Sequence, residues 1–225
     1  MRVITTLTTG LLLSASAFAL SLSDLTQSDA SGGLKDALTQ GAQIAVKQLG
    51  KPGGFSDNDE VRIELPGKLG KAAQTMKMMG MGEQVEELEA SMNKAAEAAV
   101  PQAQAILVDA VKKMTVSDAK AILAGGEDSA TQYLNKSSRE QIRAKFLPIV
   151  KRATDKVGVA QQYNSFAGQA AALGVVDAKS ANVENYVTEK ALDGLFKMIA
   201  EQEASIRQNP ASAATSLAKK VFGAL

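Results

Sequence analysis

The sequence predicts an all-α fold, an irregular multi-helix bundle with one short extended segment near residues 61–65. Three observations predict it. From Leu34 onward, apolar residues recur at helical spacing in nearly every long segment. Apolar and charged residues alternate convincingly at one place, Val61-Arg62-Ile63-Glu64-Leu65. The breaks at Gly50, Gly80, Gly125 and Gly158 are unevenly spaced and carry no recurring aromatic or proline signature, which argues against a repeat array.

Residues 1–19 read as a secretory signal peptide. Met1 and Arg2 give a short positive start, and Leu11, Leu12 and Leu13 centre an apolar run. Ala17-Phe18-Ala19 supplies a small-x-small cleavage pattern, with the cut expected after Ala19. The run falls short of the ~20 apolar residues that span a bilayer. A periplasmic location follows as the expectation. Residues 20–32, rich in Ser, Asp and Thr, are expected to be a flexible lead-in, and residues 33–225 a single helical domain.

Along that domain each element has its own signal. Leu34, Leu38, Ala42, Ala45 and Leu49 form the first helical stripe, stopped by Gly50-Lys51-Pro52-Gly53-Gly54. An acidic loop follows at 55–60, then the extended segment, which Pro66 ends. Residues 67–79 read as a helix weakened by Gly70. Residues 83–99 carry Val85, Leu88, Met92, Ala95 and Ala99 on one stripe. Pro101 suits the first turn of a helix that turns Ala103, Leu107, Ala110, Val111 and Met114 inward. Thr115 or Ser117 caps a short helix with Ala119, Ile122 and Leu123 inside. A short helix is expected over 127–134. Another, capped by Ser138, is expected over 139–157, with Pro148 producing a kink or a join between two helices. Residues 160–172 and 183–206 follow. Asn209-Pro210 is expected to launch a closing helix with Leu217, Val221 and Phe222 inward.

Composition excludes several functions. The chain has 225 residues with no His, no Cys and no Trp. Disulfides, thiol nucleophiles and Cys-type zinc sites are therefore excluded, as are serine–histidine triads and haem–histidine ligation. Removing Arg2 with the leader balances the remaining acidic and basic side chains. A neutral chain argues against nucleic acid as a partner. No later stretch is long and apolar enough to span a bilayer, and no cofactor motif is present.

An ordered set of segments carries a resemblance. It comprises GLKDAL (33–38), VRIELP (61–66), MNKAAEAAVPQA (92–103), MTVSDAKAIL (114–123), ATQYL (130–134), PIVKRATDKVG (148–158), YVTEKALDGLFKMIAEQEASIRQNPA (186–211) and KKVFG (219–223). In these segments the chain resembles the bacterial family catalogued as domain of unknown function 4197. The resemblance implies a helical, exported protein of Gram-negative bacteria and carries over no activity, cofactor or catalytic residue. One departure is Met76-Lys77-Met78-Met79-Gly80-Met81, where the family leads us to expect mostly Leu and Gly.

Candidate functional residues fall into three groups. Met76, Met78, Met79 and Met81 form a thioether cluster that could hold Cu(I), serve as an adaptable apolar contact, or pack into the core. The absence of His and Cys removes the usual support for a metal, and no metal site is expected. Tyr163, Asn164, Tyr186, Asp193 and Arg207 are polar residues within apolar helical runs, so each either lines a ligand pocket or is a paired core group. Lys145, Arg152 and Lys156 share one helix face opposite Phe146, Ile149 and Ala153. That face could touch a membrane surface, remain solvated, or pair with the acidic cluster Glu83, Glu86, Glu87 and Glu89. Asp57-Asn58-Asp59-Glu60 lacks the alternation and central Gly of a calcium loop. No catalytic residue is singled out, because a Ser-x-x-Lys pair at Ser216 and Lys219 has no partner motif.

The functional expectation is a non-enzymatic binding or interaction protein of the bacterial envelope, taking a small apolar ligand or an envelope protein. The alternatives are a carboxylate-dependent hydrolase acting on envelope material and a peripheral membrane-binding protein.

Overall fold

The computed structural model describes residues 25–78, 80, 82–155, 161, 163–164 and 182–225. The expected signal peptide at 1–19 lies outside them. The architecture is all-α, and among the described residues there is no strand. The helices are α1 (Gln27–Leu49), α2 (Gly67–Met78), α3 (Gly82–Ala99), α4 (Ala103–Lys113), α5 (Val116–Leu123), α6 (Ser129–Thr154), α7 (Val183–Gln208) and α8 (Ser216–Phe222).

Most of the expected stripes face inward. Leu34, Leu49, Met92, Leu107, Leu195 and Ile199 are fully or almost fully buried in one core. At roughly 25 cal/mol per Å² of apolar area removed from water, such stripes are the main force holding the helices together. The long helices α6 and α7 run antiparallel. The sequence positions of their cross-contacts descend together, from Ala130–Glu203 through Arg139–Asp193 to Arg143–Asn185. α8 lies antiparallel on α1, with Thr215 bonding Asp36 at 2.9 Å and Lys220 reaching Asp29 at 3.3 Å.

Four expectations need correction. The lead-in does not extend to residue 32. α1 starts at Gln27 because the Thr26 hydroxyl caps the Asp29 N–H at 3.0 Å, and α8 packs Leu217 and Val221 against Gly32 and Gly33. Ser138 is no cap. α6 runs unbroken from Ser129, and Ser137 and Ser138 donate their hydroxyls to the carbonyls of Tyr133 (2.8 Å) and Leu134 (2.6 Å), which removes their competition with the helix. Pro148 does not divide the helix either. It is exposed, as is Ala144, whose carbonyl loses its partner and can turn to water. Asn209-Pro210 opens only a one-turn 3₁₀ helix, Pro210–Ser212, and the closing helix starts at Ser216 under a Thr215 cap.

The extended segment is present but pairs with no strand. The Asn93 amide of α3 takes the strand partner's role. Its Oδ1 accepts the Ile63 N–H at 2.9 Å, and its Nδ2 donates to the Ile63 carbonyl at 2.9 Å. Both backbone groups of a buried residue are satisfied by one side chain, which meets the requirement that buried amides be paired. Phe55, Val61 and Ile63 then insert between α3 and α7. Gly194 of α7 makes the room, since a Cβ there would sit 2.9 Å from Phe55 Cε1.

Candidate functional site

Of the five polar residues expected either to line a pocket or to be paired core groups, three gather at the start of α7 and are engaged there. Asn164 accepts the Val183 N–H at 2.6 Å and donates to the buried Glu184 at 3.2 Å. The Tyr186 hydroxyl donates to the Glu64 carbonyl at 2.7 Å, which ties α7 to the extended segment. Tyr163 is buried beside them. Burial, helped by the neighbouring negative groups, raises the Tyr163 phenol far above its ordinary value and pushes Tyr186 up to about 12. These phenols serve as neutral structural groups.

Asp193 lies two helical turns further along α7, where it accepts from Arg139 at 2.8 Å. Arg139 also reaches Glu189 at 2.8 Å, and Arg143 reaches Glu189 at 2.7 Å. Burial pulls Glu189 upward, but the two guanidinium groups outweigh it and hold its carboxyl below the usual range. Arg139 and Arg143 of α6 therefore pair with α7. Lys145 and Arg152 are exposed on α6, and Lys156 lies outside the described residues.

Arg207 sits near the opposite end of α7 and does not join this group. It bonds the Ile122 carbonyl at 3.1 Å and the Glu203 carboxylate at 3.1 and 3.0 Å. Glu203 in turn accepts from the Ala130 N–H (3.1 Å) and from the Thr131 N–H and hydroxyl (both 2.8 Å). A buried carboxylate thus caps the N-terminus of α6, with Arg207 balancing its charge.

The methionine cluster is only partly described. Met78, at the end of α2, is 81% exposed. Met79, Met81 and the side chain of Met76 lie outside the described residues. Nearby, Lys77 pairs with Glu89 at 3.0 Å and fastens α2 to α3.

The feature that sequence reading missed is the corner where α1 gives way to the 50–60 loop. Three open grooves meet there. The first, of about 650 Å³, is lined by Leu49, Asp57, Asn58, Asp59, Glu60 and Met198 among others. The second, of about 590 Å³, lies along Gln43, Lys47, Lys51, Pro101 and Gln104. The third, of about 420 Å³, runs between Pro52 and Ser56 of the loop and Ala90, Lys94, Glu97 and Ala98 of α3. The acids of the first groove are largely engaged. Asp59 pairs with Arg62, Lys197 meets Glu60 at 2.8 Å, and Ser56 donates to Asp57 at 3.2 Å. Among the described residues no group of three or more acidic side chains could hold a metal ion.

Buried groups hold the corner in place. Glu97 Oε1 accepts the N–H groups of Phe55 at 3.1 Å and Ser56 at 3.4 Å. Gly53 turns the chain with φ +80, a conformation that a side chain would strain. Lys197 donates to the Glu60 carbonyl at 3.3 Å from below. The hint in the sequence was Glu97 itself, a charged residue one turn beyond Asn93 and flanked by Ala95, Ala96, Ala98 and Ala99. An acid among alanines at helical spacing is a buried-carboxylate signal that stripe counting passes over.

Fold and surface together define a helical protein with a packed core and, among the described residues, a grooved corner at the 50–60 loop. The chain belongs to the family described as "Protein of unknown function (DUF4197)", whose model matches residues 24–223. No curated protein and no solved structure matches it. No helix among the described residues is long and apolar enough to cross a membrane.

Proposed function

We propose that the chain is an exported, non-enzymatic binding protein of the bacterial envelope, and that it meets its ligand or partner at the 50–60 corner. The observation that carries this reading is the preorganisation of an exposed loop. A buried carboxylate holds the loop backbone where Phe55 enters the core, and a buried Asn amide and a Tyr hydroxyl hold the segment that follows the loop at Ile63 and Glu64. Fixing a loop before contact lowers the ordering cost of binding. Binding residues are commonly carried on loops held by a rigid scaffold. The leader-like first 19 residues support export, and the balanced charge of the residues after them argues for a partner other than nucleic acid.

Site-specific photocrosslinking in cells tests the location. A photoreactive residue in place of Pro52 or Gln104 is expected to give a discrete adduct that is absent when the same residue replaces Lys120 or Lys136 at the α5–α6 end. Indistinguishable adduct patterns at all four positions would contradict the reading. Cell fractionation tests export, and recovery of the full-length chain in the cytosol alone would contradict it.

A further inference from the structure

Resting on the assignment of the corner as the binding surface, we infer that the third groove is a binding site for an alkylammonium group, with Glu97 as its acceptor. Four observations lead there. Glu97 is 7% exposed, so its carboxylate is largely withdrawn from bulk water. Oε1 is occupied by the two loop amides, while among the described residues Oε2 takes no donor and pairs with no cation. Oε2 is nonetheless not sealed in. Among the described residues Thr188 Oγ1 is the one buried side-chain polar atom without a partner, so Oε2 reaches solvent, and Glu97 lines the third groove. The walls of that groove are Pro52, Ala90 and Ala98, small and apolar.

A sheltered carboxylate with one open oxygen favours a charged donor, because a charge-assisted hydrogen bond replaces the water it has lost. Apolar walls suit a methylene stem, which can lie along them while its charged end bonds at depth. An ammonium on an aliphatic chain satisfies both demands. It can come from a lysine side chain of a protein or from a free amine. Lys94, exposed on the rim, repels such a cation and sets an upper bound on its affinity.

The test uses the full exported chain and NMR of the Phe55 and Ser56 amides, which report directly on Glu97. Hexylamine and Nα-acetyl-lysine methylamide serve as ammonium probes, and hexanol serves as the uncharged control. Saturable shifts centred on Phe55 and Ser56 are expected with both amines, weakened by salt, and absent with hexanol. Response to hexylamine alone assigns the site to free amines, and response to both admits a lysine side chain. Glu97→Gln keeps an oxygen for the two loop amides and is expected to lose the response with the fold intact. Lys94→Ala is expected to tighten binding about threefold by removing a like charge. Equal response to hexanol, or an unchanged response in Glu97→Gln, would overturn the ammonium site. So would the absence of any amine response. If crosslinks at Pro52 and Gln104 persist in that case, the corner remains the contact surface and only the ammonium chemistry fails.

Discussion

Two buried glutamates do the same local work at two separate joints of the molecule. Glu203 holds the N–H groups of Ala130 and Thr131, and Glu97 holds those of Phe55 and Ser56. Their surroundings differ. Both Glu203 oxygens are bonded, and Arg207 lies beside it with its own side chain 11% exposed. Among the described residues Glu97 has one oxygen without a donor and no paired cation, and it lines a groove. A balanced, closed carboxylate is architecture. An unbalanced, open one costs the fold something that packing alone does not require, and that difference distinguishes a helix joint from a candidate site.

The largest expected effect comes from breaking the closed member. Glu203→Ala leaves two buried amides unpaired and Arg207 without its counter-charge, and removal of one partner of a buried pair costs about 3–5 kcal/mol. Denaturant melts should show that loss across the whole domain. Asn93→Ala strips both backbone bonds from Ile63 and should cost ~2–3 kcal/mol. Its signature differs, because amide exchange should accelerate first in residues 55–65. Gly194→Ala drives a methyl into Phe55 and should cost about 1–3 kcal/mol by overpacking, with the same local signature. If either variant instead melts the α6–α7 joint first, the two regions are not separable as described.

Glu97→Gln should cost less than about 1 kcal/mol, since the oxygen that serves the loop survives. A loss comparable to that of Glu203→Ala would mean that Glu97 is architecture as well. The smallest effect is a pH dependence at the edge of the corner. Burial and the neighbouring Glu60 raise the Glu201 carboxyl in the folded chain above its ordinary 4.5. The folded state therefore holds that proton longer than the unfolded state does. The contribution of Glu201 to stability falls as pH rises from the ordinary value through the raised one, and that of Glu60, which Lys197 and Glu201 hold below its ordinary value, has the opposite sign. Glu201→Gln should flatten that part of the stability–pH curve, and an unchanged slope would remove the Glu60–Glu201 contact from the account.

Much of the helical body was legible in the sequence because apolar period is a local property. Leu34, Leu107, Leu195 and their stripe-mates are buried as expected, and Thr115 caps α5 as one of the two expected alternatives. Errors arose where a second interaction overruled the expected signal, a bond one turn back for Ser138 and long-range packing for residues 27–32. Ser138 resembles a cap until its hydroxyl finds Leu134, and residues 27–32 resemble a tail until α8 covers them. The site was less legible. Residues chosen as polar within apolar runs proved to be paired groups, as Tyr186, Asp193 and Arg207 show. Nothing local told Glu97 from Glu203, because the difference lies in what stands opposite each one, Arg207 for one and open groove for the other.

The central claim is that Glu97 keeps an oxygen open for a ligand while Glu203 does not. A crystal structure of the protein grown with hexylamine tests it most directly. The account predicts the amine nitrogen bonded to Glu97 Oε2, its stem between Ala90 and Ala98, and no amine at Glu203. An amine found only against Asp57 or Glu60, or a groove empty at saturating amine, would contradict it.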